Sequence, residues 1–238
     1  MNATANHSEE SLDQLAFRLE RLDALGRVRA VVERWDSASA VVTTSFGLQS
    51  AVLLHLVSRV APGLKVLFVD TGYHFPETLD YAETLRRMLG LNLSVYRPLE
   101  TPEVQEARWG RLWELGEDGL GTYNYFNKVE PLERAFDELG PRVWLSGLRR
   151  VQSESRRFRP VLEEKPDRGG VVKVYPIIDW SDKDVFFYQQ EHGLPDHPLW
   201  AKGYVSVGDR HSSEPLRPGQ AVESTRFSGV KRECGIHL

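Results

Sequence analysis

Cysteine is nearly absent from this 238-residue sequence: Cys234, close to the C-terminal end, is the only one. A lone thiol closes no internal disulfide and supplies no four-thiolate zinc or iron–sulfur site, so a disulfide-stapled secreted scaffold is excluded. Long apolar runs are missing as well. Nothing approaches the roughly 18 apolar residues of a membrane span. The polar start MNATANHSEE lacks the basic, apolar and small-residue series of a signal peptide. The cytoplasm is therefore the expected compartment, with no membrane partner. Nor is there an excess of positive charge. Thirty Lys and Arg stand against 34 Asp and Glu, a net charge of -4, which disfavours a nucleic-acid partner. No repeat and no clear linker interrupts the chain, and His192, His197 and His211 fall at no recognised metal spacing.

What is present is an ordinary globular composition, 41% hydrophobic and 27% charged, long enough for one domain with an appended tail. Leu12, Leu15, Leu19, Leu22 and Leu25 share one helical stripe, predicting an opening helix to Gly26 and a short second one to Trp35. AVVTT at 40–44, KVLFV at 65–69, 91–96, 143–145 and 171–175 read as strands. Helices are expected after Ser50, from Pro76 to Leu89, from Pro131 to Leu139, after Gly147 through Gln152–Arg157, and from Ser181 to His192 with Ser181 as cap. Residues 100–121 read as irregular. Alternation of short apolar strands with longer helices predicts an α/β fold, a mostly parallel sheet with helices on both faces.

Chemistry-bearing residues gather where strands hand over to helices. Ser45, Gly47, Gln49 and Ser50 follow the first strand, at the edge where open α/β sheets bind ligands, ahead of a helix start that attracts anions. The loop is not a Walker sequence, and a plain polar connection is the alternative. Asp70 and Gly72 end the neighbouring strand, Asp70 reading equally as an acceptor for a ribose or adenine amine or as a turn residue. Lys128, Arg149, Arg150, Arg156 and Arg157 sit at further hand-overs and suit a small polyanion, against the alternative of solvated surface charge. Arg226, Lys231 and Arg232 crowd Cys234, and cations favour thiolate over thiol, hence a nucleophile. His237 is placed to contact the same charge. With no second cysteine, an intermediate on Cys234 needs an external thiol to resolve it. Trp144, Trp180 and Trp200 read as packing residues, and Asp179, Asp182 and Asp184 as helix-start residues.

Together these segments resemble the phosphoadenylyl-sulfate (PAPS) reductase family, over roughly residues 40–238. The matching stretches are SFGLQSAV at 45–52, VDTGYHFPET at 69–78, NKVEPLERA at 127–135 and SGLRRVQSESR at 146–156. They continue with YPIIDWSDKDV at 175–185, LPDHPLWAKGYVSVGDRHSSEP at 194–215 and ESTRFSGVKRECGIH at 223–237. ECGIH combined with GLRR and DTG is specific; any one alone is weak. Ser212-Ser213 stands where Thr-Thr is common, with the hydroxyls retained.

The resemblance implies a Rossmann-like, adenine-nucleotide α-hydrolase-type fold with a functional C-terminal tail. It divides the chain into an extension and helix (1–26), a nucleotide-binding domain (27–215) and a catalytic tail (216–238). It implies reduction of 3′-phosphoadenylyl sulfate to sulfite and adenosine 3′,5′-bisphosphate, in sulfate assimilation, through an S-sulfocysteine on Cys234. Reduced thioredoxin or glutaredoxin then releases the sulfite. Lys128, Arg226 and His237 would hold the phosphosulfate, with Lys231 and Arg232 beside them. Ser45, Gly47, Gln49, Ser50, Asp70 and Gly72 would line the nucleotide cleft, with Arg149, Arg150 and Arg156 as further anion contacts. Family members are commonly homodimers. A sister group, the adenylyl-sulfate reductases, carries four cysteines for an iron–sulfur cluster. This chain has Tyr123-Asn124 at one cysteine pair and Asp209 and Ser212 at the other, implying no cluster, no metal and a 3′-phosphorylated substrate. The competing readings are adenylyl-sulfate reduction without a cluster, an ATP-using ligase of the same fold, and a non-catalytic sulfonucleotide-binding module. Phe46 and Gln49 depart from the SGGxDS pattern of such ligases.

Overall fold

The computed structural model describes residues 10–226. Cys234, His237, Lys231 and Arg232 lie outside the described residues.

Two helices come first among the described residues, α1 (Leu12–Leu19) and α2 (Ala24–Trp35). The single stripe expected from Leu12 to Leu25 is cut between them. Ser11 and Gln14 cap α1 reciprocally, and Asp23 accepts the Gly26 N–H at 2.6 Å to start α2 afresh. Leu15 and Leu19 nevertheless join the main core.

A six-stranded sheet follows: β1 (Ala40–Thr44), β2 (Lys65–Val69), β3 (Asn92–Tyr96), β4 (Val143–Ser146), β5 (Leu162–Lys165) and β6 (Val171–Val174). Its spatial order is β3-β2-β1-β4-β6-β5, parallel throughout except for β5. Central strands in such a sheet are covered on both faces, which is why they read as continuous apolar runs. Val42, with Val66 and Leu145 opposite it, faces the large core shared with α3 (Ser50–Val60), α4 (Pro76–Leu89) and α8 (Asp182–Glu191). Val41, Leu67 and Trp144 face the smaller core made with Leu132, Ala135 and Phe136 of α7 (Glu130–Leu139).

Three expectations differ from what is observed. No α-helix follows Gly147: Arg150–Gln152 and Glu154–Arg156 are single 3-10 turns. Ser153 is fully extended between them, and the Arg150 N–H is spent on the Ile178 carbonyl at 2.8 Å. The charged segment LEEK forms β5, an edge strand whose charges blunt the open side of the sheet. The irregular middle is mostly helical: α5 (Pro102–Trp109), a 3-10 turn (Leu112–Glu114) and α6 (Gly116–Asn124). From α6 the chain runs through a π-helical stretch, Tyr125–Val129, directly into α7. Pro131 brings no N–H, and it falls where the i→i−4 ladder is already interrupted.

Among the described residues no helix is long and apolar enough to cross a membrane, and no group of three His, Cys, Asp or Glu side chains is arranged to hold a metal.

Candidate functional site

The chain runs outward from β1 to β3 and then returns to β4 on the other side of β1. The carboxyl ends of β1 and β4 therefore flank the crevice where open α/β sheets take ligands. Beyond Thr44 the backbone turns sharply, with Phe46 at φ 47°. A non-glycine residue in that region stores strain, held here by burial of the ring edge-on against Phe68 at 5.0 Å. Thr44 Oγ1 accepts the Phe46 N–H at 3.0 Å, and the Gly47 carbonyl accepts from Ser50 N and Ser50 Oγ at 3.0 and 2.8 Å. Ser45 is left exposed, and no side chain caps the start of α3. Its N–H groups are an anion-binding end. Leu48 packs beneath Leu199 and Val207, so the 199–213 segment lies beside this turn.

At the end of β2, Asp70 does turn work. Its Oδ1 accepts the Gly72 N–H at 3.1 Å and its Oδ2 pairs with Arg97 at 3.0 Å. Gly72 sits at φ 78°, and a Cβ there would fall 2.6 Å from Pro102 Cγ, so only glycine allows α5 this close.

Lys128 projects from the π stretch into a buried polar cluster. Its Nζ lies 2.7 Å from Asp209 Oδ2, the two side chains being 6% and 1% exposed. Thr71 Oγ1 donates to the other carboxylate oxygen at 2.6 Å and accepts from Tyr73 N at 3.2 Å. Burial works to raise the Asp209 carboxyl, but Lys128, His74 and the hydrogen bonds from Lys128 and Thr71 overcome it and hold the group below the usual carboxylate range. Arg226 reaches the residue next to Asp209. It bridges to Ser213, its Nη1 lies 3.4 Å from Ser206 Oγ, and its guanidinium presses on Gly208, where a Cβ would collide with it. Lys128 and Arg226, far apart in sequence, are thus brought to adjacent residues, Asp209 and Gly208. His211 completes the cluster, stacked on Trp113 at 3.9 Å with Tyr73 and Tyr123 edge-on. Burial lowers its pKa to about 4, with Asp209 pulling the other way and Lys128 and Arg226 adding to the drop.

The arginines expected near the ligand divide. Arg149 is fully buried and committed: it donates to the Trp180 carbonyl at 3.1 Å, to Asp182 at 2.7 Å and to Gln49 Oε1. Gln49 in turn donates to Asp182 at 2.9 Å. Arg149 therefore props the β1 turn against the start of α8 rather than presenting its guanidinium to the crevice. Arg150, expected as a further anion contact, pairs with Glu20 at 2.8 Å and donates to the Arg159 carbonyl at 2.9 Å. Arg156 donates to Gln152 at 2.6 Å. Asp182, read only as a helix-start residue, is also the partner of Arg149.

Sequence reasoning gave no role in this site to Thr71, Asn127 or the Asp209 carboxylate that pairs with Lys128. It also passed over Lys173, which is fully buried with Nζ 3.5 Å from the Trp144 ring centroid. A lysine in the apolar run VVKV was the available signal. Burial, then Lys165, lowers its pKa to about 6.

A mostly parallel sheet with an uncapped loop–helix turn at its switch point and cations close to that turn defines an open α/β protein with a site suited to an anionic ligand. Residues 39–215 match the phosphoadenosine phosphosulfate reductase domain. The chain is 50% identical over 228 residues to a phosphoadenosine 5′-phosphosulfate reductase of Xylella fastidiosa, covering 96% of this chain and 94% of that one. It is 51% identical over 227 residues to one of Klebsiella pneumoniae, covering 95% and 91%. The crystal structure of the phosphoadenylyl-sulfate reductase from Candida auris, a phosphate complex, superimposes with a TM-score of 0.75 at 32% identity, covering 87% of this chain and 98% of that one. An FMN adenylyltransferase of Candida glabrata, at 11% identity and a TM-score of 0.60 over 94% and 81%, shares the fold alone. The chain belongs to the phosphoadenosine phosphosulfate reductase family.

Proposed function

We propose that this enzyme reduces 3′-phosphoadenylyl sulfate to sulfite and adenosine 3′,5′-bisphosphate, in sulfate assimilation. The carrying observation is the convergence of Lys128 and Arg226 on Gly208-Asp209 in a chain about half identical to reductases of that name. In the first step the Cys234 thiolate attacks the sulfate sulfur. The bond from that sulfur to the bridging phosphate oxygen breaks, and the bisphosphate leaves with the electron pair. The enzyme then carries Cys–S–SO3⁻. In the second step a thiolate of a reduced dithiol protein, thioredoxin or glutaredoxin, attacks the Cys234 sulfur and sulfite departs. The partner's second thiol resolves the mixed disulfide, so the dithiol supplies both electrons.

An anionic thiolate approaching an anionic sulfonyl group is repelled, and buried cations relieve that repulsion as charge builds on the leaving phosphate. Each such donor is worth about 3 kcal/mol in the transition state. Lys128 and Arg226 take this role on the described residues, with Lys231, Arg232 and His237 beside Cys234 in sequence. Ser45, Gly47 and the N-terminus of α3 receive the nucleotide, Gly72 shapes the adjoining wall, and Gln49 and Ser50 fix the turn. The phosphate bound by the Candida auris relative agrees with a site built for anions.

The 3′-phosphorylated substrate is favoured over adenylyl sulfate by ligand chemistry. Tyr123, Asn124, Asp209 and Ser212 stand buried at the places where the sister group has cluster cysteines, and none offers a thiolate. No resident cofactor is needed, because the partner dithiol brings the electrons. Steady-state rates with 3′-phosphoadenylyl sulfate and with adenylyl sulfate, each with reduced thioredoxin, test the reading. Sulfite release strongly preferring the 3′-phosphorylated nucleotide is expected. A preference for adenylyl sulfate would overturn the substrate assignment, and nucleotide binding without sulfite from either would overturn the enzyme assignment.

A further inference from the structure

Helix α5 is attached to the protein in an unusual way: its one buried side chain is a glutamine. Gln105 is 3% exposed and meets Asn127, which is 0% exposed, in a reciprocal amide pair. Gln105 Nε2 donates to Asn127 Oδ1 and Asn127 Nδ2 donates to Gln105 Oε1, both at 2.9 Å. The remaining amide hydrogens go to the main chain, Gln105 to the Glu100 carbonyl and Asn127 to the Tyr123 carbonyl, each at 3.0 Å. All four donors are satisfied. Burying two amides gains little net stability over an apolar contact of the same shape, but a fully satisfied polar network fixes a single geometry. A leucine pair would hold α5 down without setting its register.

What that geometry fixes is the π stretch. Asn127 lies in it, next to Lys128, and π turns are marginal arrangements that recur at functional sites. One helical turn before Gln105, Pro102 lies against Gly72, where a side chain would not fit. α5 therefore bridges the nucleotide wall at Gly72 and the lysine at 128.

We propose that Gln105 and Asn127 are positioning residues for catalysis. Their amide clasp holds the π stretch in the register that delivers the Lys128 ammonium beside Asp209 and onto the phosphosulfate. This rests on the assignment of Lys128 as a phosphosulfate contact.

The test is a mutant cycle on the full-length enzyme, read as kcat/KM for sulfite release with thermal midpoints alongside. Gln105→Leu combined with Asn127→Leu keeps an apolar contact and removes the clasp; Gln105→Glu is a milder disruption that keeps side-chain length. Each is made in the wild-type and Lys128→Ala backgrounds. A displaced catalytic group is expected to cost roughly 10- to 100-fold. That loss should appear in the wild-type background and vanish in Lys128→Ala. The exchanged pair, Gln105→Asn with Asn127→Gln, should recover most of the activity. Equal losses in both backgrounds, or wild-type kcat/KM in a folded clasp variant, overturn the proposal. Wild-type kcat/KM in Lys128→Ala alone is a different result: it removes the assignment of Lys128 on which the clasp depends.

Discussion

Lys128 and Asp209, 81 positions apart in sequence, meet at 2.7 Å in a pocket that excludes almost all solvent from both side chains. A buried pair of this kind contributes little net stability against an apolar replacement, yet losing one member leaves a charge uncompensated. Its presence in the proposed phosphosulfate site therefore points to placing a cation, with Asp209 holding Lys128 in position.

Removing one partner should cost far more than removing both. Asp209→Leu is expected to destabilise the fold by about 3–5 kcal/mol. Lys128→Met combined with Asp209→Leu should recover most of that while sulfite release stays lost. Urea unfolding and steady-state assays on the same preparations check both halves. A double variant no more stable than the single would show that the pair holds the fold rather than the substrate.

Acid should weaken the protein before its carboxylates titrate. His197 is buried, accepts the Leu199 N–H on Nδ1 at 3.1 Å and meets Thr78 Oγ1 through Nε2 at 3.1 Å. Burial lowers its pKa to about 4, as it does that of His211. Both values lie below the ordinary histidine value near 6.5, so between about pH 6.5 and 4 the unfolded chain binds more protons and stability falls as pH falls. Urea midpoints measured across that window should drop, and more shallowly in His197→Asn, whose carbonyl keeps an acceptor for Leu199. An unchanged slope in that variant would remove His197 from the account.

Lys173 predicts an effect at the other end of the scale. Its folded pKa near 6 lies far below the ordinary lysine value, so the fold gains stability as pH rises through the window from about 6 to 10. Lys173→Met should stabilise the protein at pH 7 by a few kcal/mol, on the order of a full lysine desolvation. The advantage should shrink toward pH 10. Denaturation at pH 7, 8.5 and 10 reads this directly, and a constant difference would contradict it.

Gly72→Ala should lower both stability and activity. A left-handed non-glycine residue and the crowding of Pro102 together cost roughly 2 kcal/mol. The displaced α5 should raise KM for the sulfonucleotide. Unfolding curves and KM measured together separate this from simple loss of folded protein.

Much of this fold is legible in the sequence for a physical reason. Buried parallel strands such as AVVTT and KVLFV are continuous apolar runs, and Ser181 and Pro76 announce their helices. β5 is not legible, because an edge strand keeps LEEK charged. α5 is not either, since an eight-residue helix that buries only Gln105 has no apolar stripe. In the site, Lys128 was identifiable as a cation at an element junction and Arg226 as one of the cations crowding the tail around Cys234. Their meeting at Gly208-Asp209 depends on a tertiary approach that no local pattern encodes. Arg149 and Arg150 are neighbours in sequence, yet one props Gln49 and the other turns to Glu20, because Arg149 is the extended residue ahead of the 3-10 turn that Arg150 opens.

The central claim is that sulfonate passes from the nucleotide to Cys234, and intact-mass analysis tests it most directly. The full-length enzyme, incubated with 3′-phosphoadenylyl sulfate and no reductant, should gain one sulfonate on Cys234, and reduced thioredoxin should remove it as sulfite. Cys234→Ser should bind nucleotide but form neither adduct nor sulfite. Sulfite release persisting in Cys234→Ser, with no adduct on the unsubstituted enzyme, would contradict the account.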